Sequence, residues 1–152
     1  MGKDVVPSDK KRIVIVDDHP LLRRGLQRLI DSTSQFVVCG EAGNAAEGQD
    51  VVRQEKPDLV IVDIGLPTVD GIELTKQLIG EFEDLRVLIF SMHEEADYAV
   101  RAIRAGALGY MVKYEAIEKI ERALEDVFAG RLYLSPGLQE ARTELANGAE
   151  SS

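Results

Sequence analysis

Five short apolar runs punctuate the chain: "IVIV" from residue 13, "FVVC" from 36, "LVIV" from 59, "RVLIF" from 86 and "LGYMV" from 108. Their starts lie 23, 23, 27 and 22 residues apart, and each interval has room for one helix and two turns. Because the runs are continuous rather than alternating, they predict strands covered on both faces, as in a parallel α/β sheet. Between them Leu22, Leu26, Leu29 and Ile30 recur at helical spacing, as do Ile117, Ile120, Leu124, Val127 and Phe128, which predicts the first and fifth helices. Pro20 suits a first helical turn, "KPD" at 56–58 separates helix two from strand three, and Gly106 and Gly130 stand where helices four and five should stop. The pattern is (βα)5.

Outside these units the periodicity fades. Residues 11–134 are expected to form the structured domain, with residues 1–10 a flexible N-terminus and 135–152 a polar tail or the start of a linker. "LQEARTELA" is suited to a polar helix, but only 22 residues follow Gly130, too few for the three helices of about 11 residues in a helix-turn-helix module. No DNA-binding domain is expected in this chain.

Composition narrows the class. With 152 residues, 45% apolar and 30% charged, the chain fits one soluble domain, and no apolar run approaches the ~20 residues of a membrane helix. The N-terminus has no signal-peptide core, so a cytoplasmic location is expected. The single cysteine, Cys39, excludes an internal disulfide and reads as a core filler, and no His/Cys cluster has zinc-ligand spacing. A net charge of −9 argues against direct binding to nucleic acid.

The chemistry starts from a conflict. Asp63 ends the run "LVIV", and Asp17 with Asp18 ends "IVIV", although burying an unpaired carboxylate is among the costliest things a fold can do. In a five-stranded flavodoxin-like parallel sheet of order 2-1-3-4-5, helices on both faces, strands one and three are neighbours, and ligands bind beyond the carboxyl ends of the strands. The three acids then converge. Two like charges ~4 Å apart repel by about 4 kcal/mol at an effective dielectric of 20, so the cluster calls for a cation. Carboxylate oxygens suit Mg²⁺, or Mn²⁺ in its place, better than zinc, for which His or Cys would be expected. Strand four ends in Ser91, a hydroxyl donor, and strand five runs into Lys113, an ammonium suited to a phosphoryl group. Together these residues form a phosphoryl-transfer constellation in which Asp63 is the best candidate nucleophile and Asp70 caps helix three. His19 belongs to the entry of helix one and His93 to a loop; neither has a sequence partner pointing to catalysis or metal binding.

In this arrangement "VDDHP", "DLVIVDIGLPTVDG", "LIFSMH" and "GALGYMVK" resemble the receiver domain of bacterial two-component response regulators, over roughly residues 11–134. "DDHPLLRRGL", "SMH" and "YLSP" are similar to the NarL/FixJ, or LuxR-type, branch. The resemblance implies that Asp63 accepts a phosphoryl group from a sensor histidine kinase. It implies that Asp18, Asp63 and the backbone carbonyl of Gly65 bind Mg²⁺, with Asp17 acting mainly through water. Ser91 and Lys113 would hold the phosphoryl oxygens, and Tyr110 would be the aromatic that rotates as Ser91 shifts. It further implies output through helix four, strand five and helix five, homodimers in some members, and transcription control through a C-terminal helix-turn-helix domain that this chain lacks. Tyr114 stands after Lys113, where the family often has proline.

Plainer accounts exist for each residue alone. Asp17 and Asp18 singly are solvated acids ending a strand, Ser91 a turn former, Lys113 a surface lysine, and Tyr110 a static core aromatic. A haloacid-dehalogenase-type phosphatase would place a D-x-D pair after strand one and needs a cap domain. A pseudo-receiver acting only as an interaction module would lack the acids or the lysine. A stand-alone single-domain regulator remains the alternative to the input half of a transcription factor.

Overall fold

The computed structural model describes residues 9–151, of which residues 114–118 and 149–151 are described by backbone alone. Most of the expected flexible N-terminus, 1–10, and the side chain of Ile117 thus lie outside the described residues. The chain alternates strand and helix throughout: β1 (Lys11–Val16), α1 (Pro20–Asp31), β2 (Phe36–Ala42), α2 (Ala45–Glu55), β3 (Leu59–Asp63), α3 (Gly71–Glu81), β4 (Arg86–Ser91), α4 (Ala96–Arg104), β5 (Gly109–Val112), α5 (Lys113–Phe128), β6 (Tyr133–Leu134) and α6 (Gln139–Ser151).

The punctuation acts as its chemistry dictates. Pro20, whose missing N–H costs nothing in a first turn, opens α1. Asn44 and Asp70 cap α2 and α3 by accepting the N–H groups of Glu47 and Glu73. Gly106 and Gly130, at φ of 116° and 84°, take the left-handed positions just past α4 and α5.

One parallel sheet holds the strands in the order β2-β1-β3-β4-β5-β6. The order 2-1-3-4-5 holds for the first five, but the expected five-stranded sheet has a sixth strand. β6 has only two residues, too few to register as an apolar run. Its place is set by long-range bonds: Tyr133 N–H donates to Leu108 C=O, Ser135 N–H donates to Tyr110 C=O, and the Ser135 hydroxyl accepts Val112 N–H at 2.8 Å. These bonds satisfy the edge of β5 that a five-stranded sheet would leave open.

Both faces of the sheet are covered, which is why the strands read as unbroken apolar runs. Along β1, Ile13 and Ile15 pack with Leu26 and Ile30 of α1 and with Ile120, Leu124 and Val127 of α5. Val14 and Val16 pack on the opposite face with Val52 of α2, Leu74 and Leu78 of α3, and Ala99 and Ala102 of α4. Cys39 is partly buried against this second layer.

The stretch 135–152, expected as a polar tail, differs from that expectation. Most of it forms α6, which packs against α4 and buries Ala141 in the second layer together with Leu138 of the preceding turn, with Leu145 partly buried beside them. Three apolar residues among many polar ones give too little periodicity to foresee this. Packing against α4 decides it.

Candidate functional site

Hydrogen bonding along the parallel sheet brings the strand ends level. Ile13–Val16 of β1 pair with Leu59–Val62 of β3, so Asp17 and Asp63 follow adjacent paired residues at the same rim. Asp63 itself pairs with Phe90, Ser91 follows, and Ser91 pairs with Val112, the residue before Lys113. The register alone collects Asp17, Asp63, Ser91 and Lys113 on one edge.

Asp17, Asp63 and Lys113 are buried, at 1%, 2% and 5% exposure, so their charges decide the energetics. Lys113 Nζ lies 3.0 Å from Asp17 Oδ2 and 3.1 Å from Asp63 Oδ2. Those two oxygens are nevertheless the buried side-chain atoms, among the described residues, that lack a hydrogen-bond partner. The ammonium lies between them and holds both by Coulomb attraction. The remaining oxygens are held: Asp63 Oδ1 accepts Gly65 N–H at 3.0 Å, and Asp17 Oδ1 accepts His19 N–H at 2.8 Å. Burial, with the neighbouring Asp17 charge, pushes the Asp63 carboxyl above the ordinary carboxylate range, while the Gly65 N–H and the Lys113 ammonium oppose the shift.

A turn of fixed shape presents Asp63. Gly71 N–H donates to Ile64 C=O, and a Cβ on Gly71 would stand 2.4 Å from the Asp63 carbonyl oxygen, so only glycine allows this approach. Asp18 is exposed at the mouth, with Oδ1 3.2 Å from His19 Nδ1.

Asp17, Asp18, His19 and Asp63 offer donor atoms that all lie within 4.8 Å of one another. Three carboxylates and one ammonium leave a formal charge of −2, and two buried oxygens lack directed donors, so the donor set fits a divalent cation. Asp17, Asp18 and Asp63 supply the carboxylates of that donor set.

Ser91 and Tyr110 form a second, connected group. The Ser91 hydroxyl accepts His93 N–H at 2.9 Å, and the Tyr110 hydroxyl donates to His93 C=O at 2.8 Å. Tyr110 is fully buried, and burial pushes its phenol up to about 12. The His93 ring stacks on Tyr98 of α4, with centroids 4.2 Å apart.

A profile described as "Response regulator receiver domain" matches residues 13–125, most of the chain. The chain belongs to the response regulator receiver domain family. It is 33% identical over 129 residues to the response regulator GacA of Pseudomonas aeruginosa, covering 85% of this chain and 60% of that protein. It is 40% identical over 123 residues to the DNA-binding transcriptional activator DevR/DosR of Mycobacterium tuberculosis, covering 81% of this chain and 57% of the activator. A solved LuxR-family response regulator from Aurantimonas sp. SI85-9A1 superposes with a TM-score of 0.84 at 38% identity, covering 90% of this chain and 99% of that one. The signal receiver domain of the putative response regulator NarL from Mycobacterium tuberculosis does so at 0.76 and 31%, covering 81% and 99%. The chain spans about 60% of the length of the curated relatives it matches.

Membership makes this a signalling domain. No helix among the described residues is long and apolar enough to cross a membrane.

The sequence gives His19 no partner pointing to catalysis or metal binding; in the structure its Nδ1 lies 2.8 Å from Asp17 Oδ1, 3.2 Å from Asp18 Oδ1, 3.7 Å from Asp63 Oδ2 and 3.0 Å from Lys113 Nζ. The one available signal was its position directly after the acid pair, on the turn that Pro20 fixes.

Proposed function

We propose that this receiver domain takes a phosphoryl group onto Asp63 from the phosphohistidine of a sensor histidine kinase. The observation that carries the reading is the meeting of Asp17, Asp18, Asp63 and Lys113 at one rim, with buried oxygens of Asp17 and Asp63 left undirected. An Asp63 carboxylate oxygen attacks phosphorus, the phosphorus–nitrogen bond of the donor breaks, and the leaving imidazole keeps the bonding pair and takes a proton.

Each neighbour has a role. Lys113 offers positive charge to the phosphoryl oxygens, and the Gly65 N–H fixes the orientation of the Asp63 carboxylate. Asp17 and Asp18, with Asp63 and the Gly65 carbonyl, would hold Mg²⁺ or Mn²⁺, Asp17 mainly through water; the ion would neutralise charge on the transferring group. Catalysis is confined to the domain's own phosphorylation and dephosphorylation.

The switch follows from the second group. A phosphoryl oxygen on Asp63 accepts a hydrogen bond from the Ser91 hydroxyl, and the turn of that hydroxyl towards it releases His93 N–H and disturbs the carbonyl that holds Tyr110 in place. Because His93 also stacks on Tyr98, the change reaches α4. The output proposed is transcription control through a helix-turn-helix domain outside these residues, in the cytoplasm, with homodimerisation on α1 and α5 or α4 and α5.

Intact-mass analysis after incubation with Mg²⁺ and acetyl phosphate tests the reading. The expected result is one base-labile phosphoryl group on the wild type and none on Asp63→Asn; equal labelling of both overturns it.

A further inference from the structure

His19 supplies the one nitrogen among the donor atoms of the acid cluster, and its contacts cannot all be satisfied by protons. An ammonium only donates, so the 3.0 Å contact from Lys113 Nζ uses the Nδ1 lone pair. That lone pair then faces Asp17 Oδ1 at 2.8 Å and Asp18 Oδ1 at 3.2 Å with no hydrogen between them. Placing a proton on Nδ1, as in one neutral tautomer, satisfies Asp17 but leaves the Lys113 ammonium facing an N–H instead of an acceptor. A metal ion satisfies every one of these lone pairs together. Ligand atoms about 2.1 Å from one ion stand about 3 Å apart when adjacent, which is the spacing of Nδ1 from the Asp17 and Asp18 oxygens.

The ring is held there by its backbone. His19 N–H is fixed on Asp17 Oδ1, and Pro20 restricts the residue before it to extended conformation, observed at φ −106° and ψ 98°. Its side chain makes no helix-capping bond, and the ring, 58% exposed, rests its Nδ1 edge on the acids at the mouth of the site. The buried Asp17 Oδ2 and Asp63 Oδ2 have no hydrogen-bond partner and face one ammonium, Lys113 Nζ at 3.0 and 3.1 Å, so the acids of the cluster still outnumber the positive charge beside them.

We propose that His19 is a nitrogen ligand of this site and sets its cation selectivity, raising affinity for Co²⁺ and Zn²⁺ over Mg²⁺. Imidazole suits these cations, whereas Mg²⁺ keeps to oxygen and to its own water. The inference rests on the proposed reading that the acids hold a divalent cation. His19 would make this receiver domain sensitive to transition metals at concentrations far below those at which Mg²⁺ fills the site.

Calorimetric titration of the whole chain with Mg²⁺ and with Co²⁺ tests the proposal, using wild type, His19→Ala and His19→Asn. In both variants the preference for Co²⁺ over Mg²⁺ is expected to fall about tenfold or more, with the Mg²⁺ affinity changed by less than about threefold. Proton spectra of the Co²⁺ form are expected to show strongly shifted His19 ring signals and ordinary His93 signals. An unchanged preference, an unshifted His19 ring, or tighter Mg²⁺ binding without loss of Co²⁺ binding overturns the ligand assignment alone. Failure of the wild type to bind either ion overturns the divalent-cation reading as well.

Discussion

Lys113 Nζ lies 3.1 Å from Asp63 Oδ2 with both side chains buried, so one ammonium from the start of α5 faces the carboxylate that ends β3. The same nitrogen is 3.0 Å from Asp17 Oδ2. Removing it strands two like charges in a site that water scarcely reaches. Lys113→Met, which keeps most of the stem's volume, is expected to lower stability in chelator by about 3 kcal/mol, the scale for removing one partner of a buried pair. Urea unfolding measures it, and added Mg²⁺ should recover more stability in the variant than in wild type. A variant as stable as wild type would mean that the acids are already neutral.

Asp63 sets the pH dependence. Its folded-state carboxyl lies above its ordinary value, chiefly through burial, so the folded state binds the proton more tightly than the unfolded chain. The charged form therefore penalises folding. The penalty is full above the raised folded-state value and fades as pH falls towards the unfolded value of about 3.9. Asp63→Asn is expected to be more stable than wild type at pH 7 in chelator, with the difference shrinking by pH 4. Thermal midpoints at the two pH values decide this, and a less stable variant at pH 7 would show that the Lys113 attraction outweighs burial.

Asp17 and Asp18 are neighbours with different tasks. Asp17 is buried and accepts His19 N–H, whereas Asp18 is exposed at the mouth of the site. Asp18→Ala is expected to weaken Mg²⁺ binding more than Asp17→Ala, while Asp17→Ala lowers the melting temperature more. Titration followed by amide spectra, with melting curves beside it, separates the two effects.

Leu138, at 3% exposure, anchors the turn before α6. Leu138→Ala is expected to cost about 2–3 kcal/mol in urea unfolding, at the lower end for a buried leucine. A flexible tail would predict almost no change.

Much of this was legible from residue order because it depends on local rules. Continuous apolar runs reported strands sheltered on both faces, Pro20 and the two glycines marked helix limits, and acids after apolar runs marked strand ends. Those acids become one site because parallel pairing puts successive strands' carboxyl ends at the same rim. What stayed hidden depends on contacts between distant residues. β6 has two residues and exists through bonds to β5, α6 has a weak apolar stripe that only its packing on α4 explains, and His19 is one polar residue in a turn.

The sequence by itself determined the five β–α units, the order of their chemistry along the chain and the identity of the charged groups, since periodicity and turn chemistry are properties of neighbouring residues. Only the tertiary structure decided which oxygens are left without donors, where the single ammonium lies, and that an imidazole turns into the acid cluster. Those outcomes follow from packing and Coulomb energies summed over residues that meet only when the chain has folded.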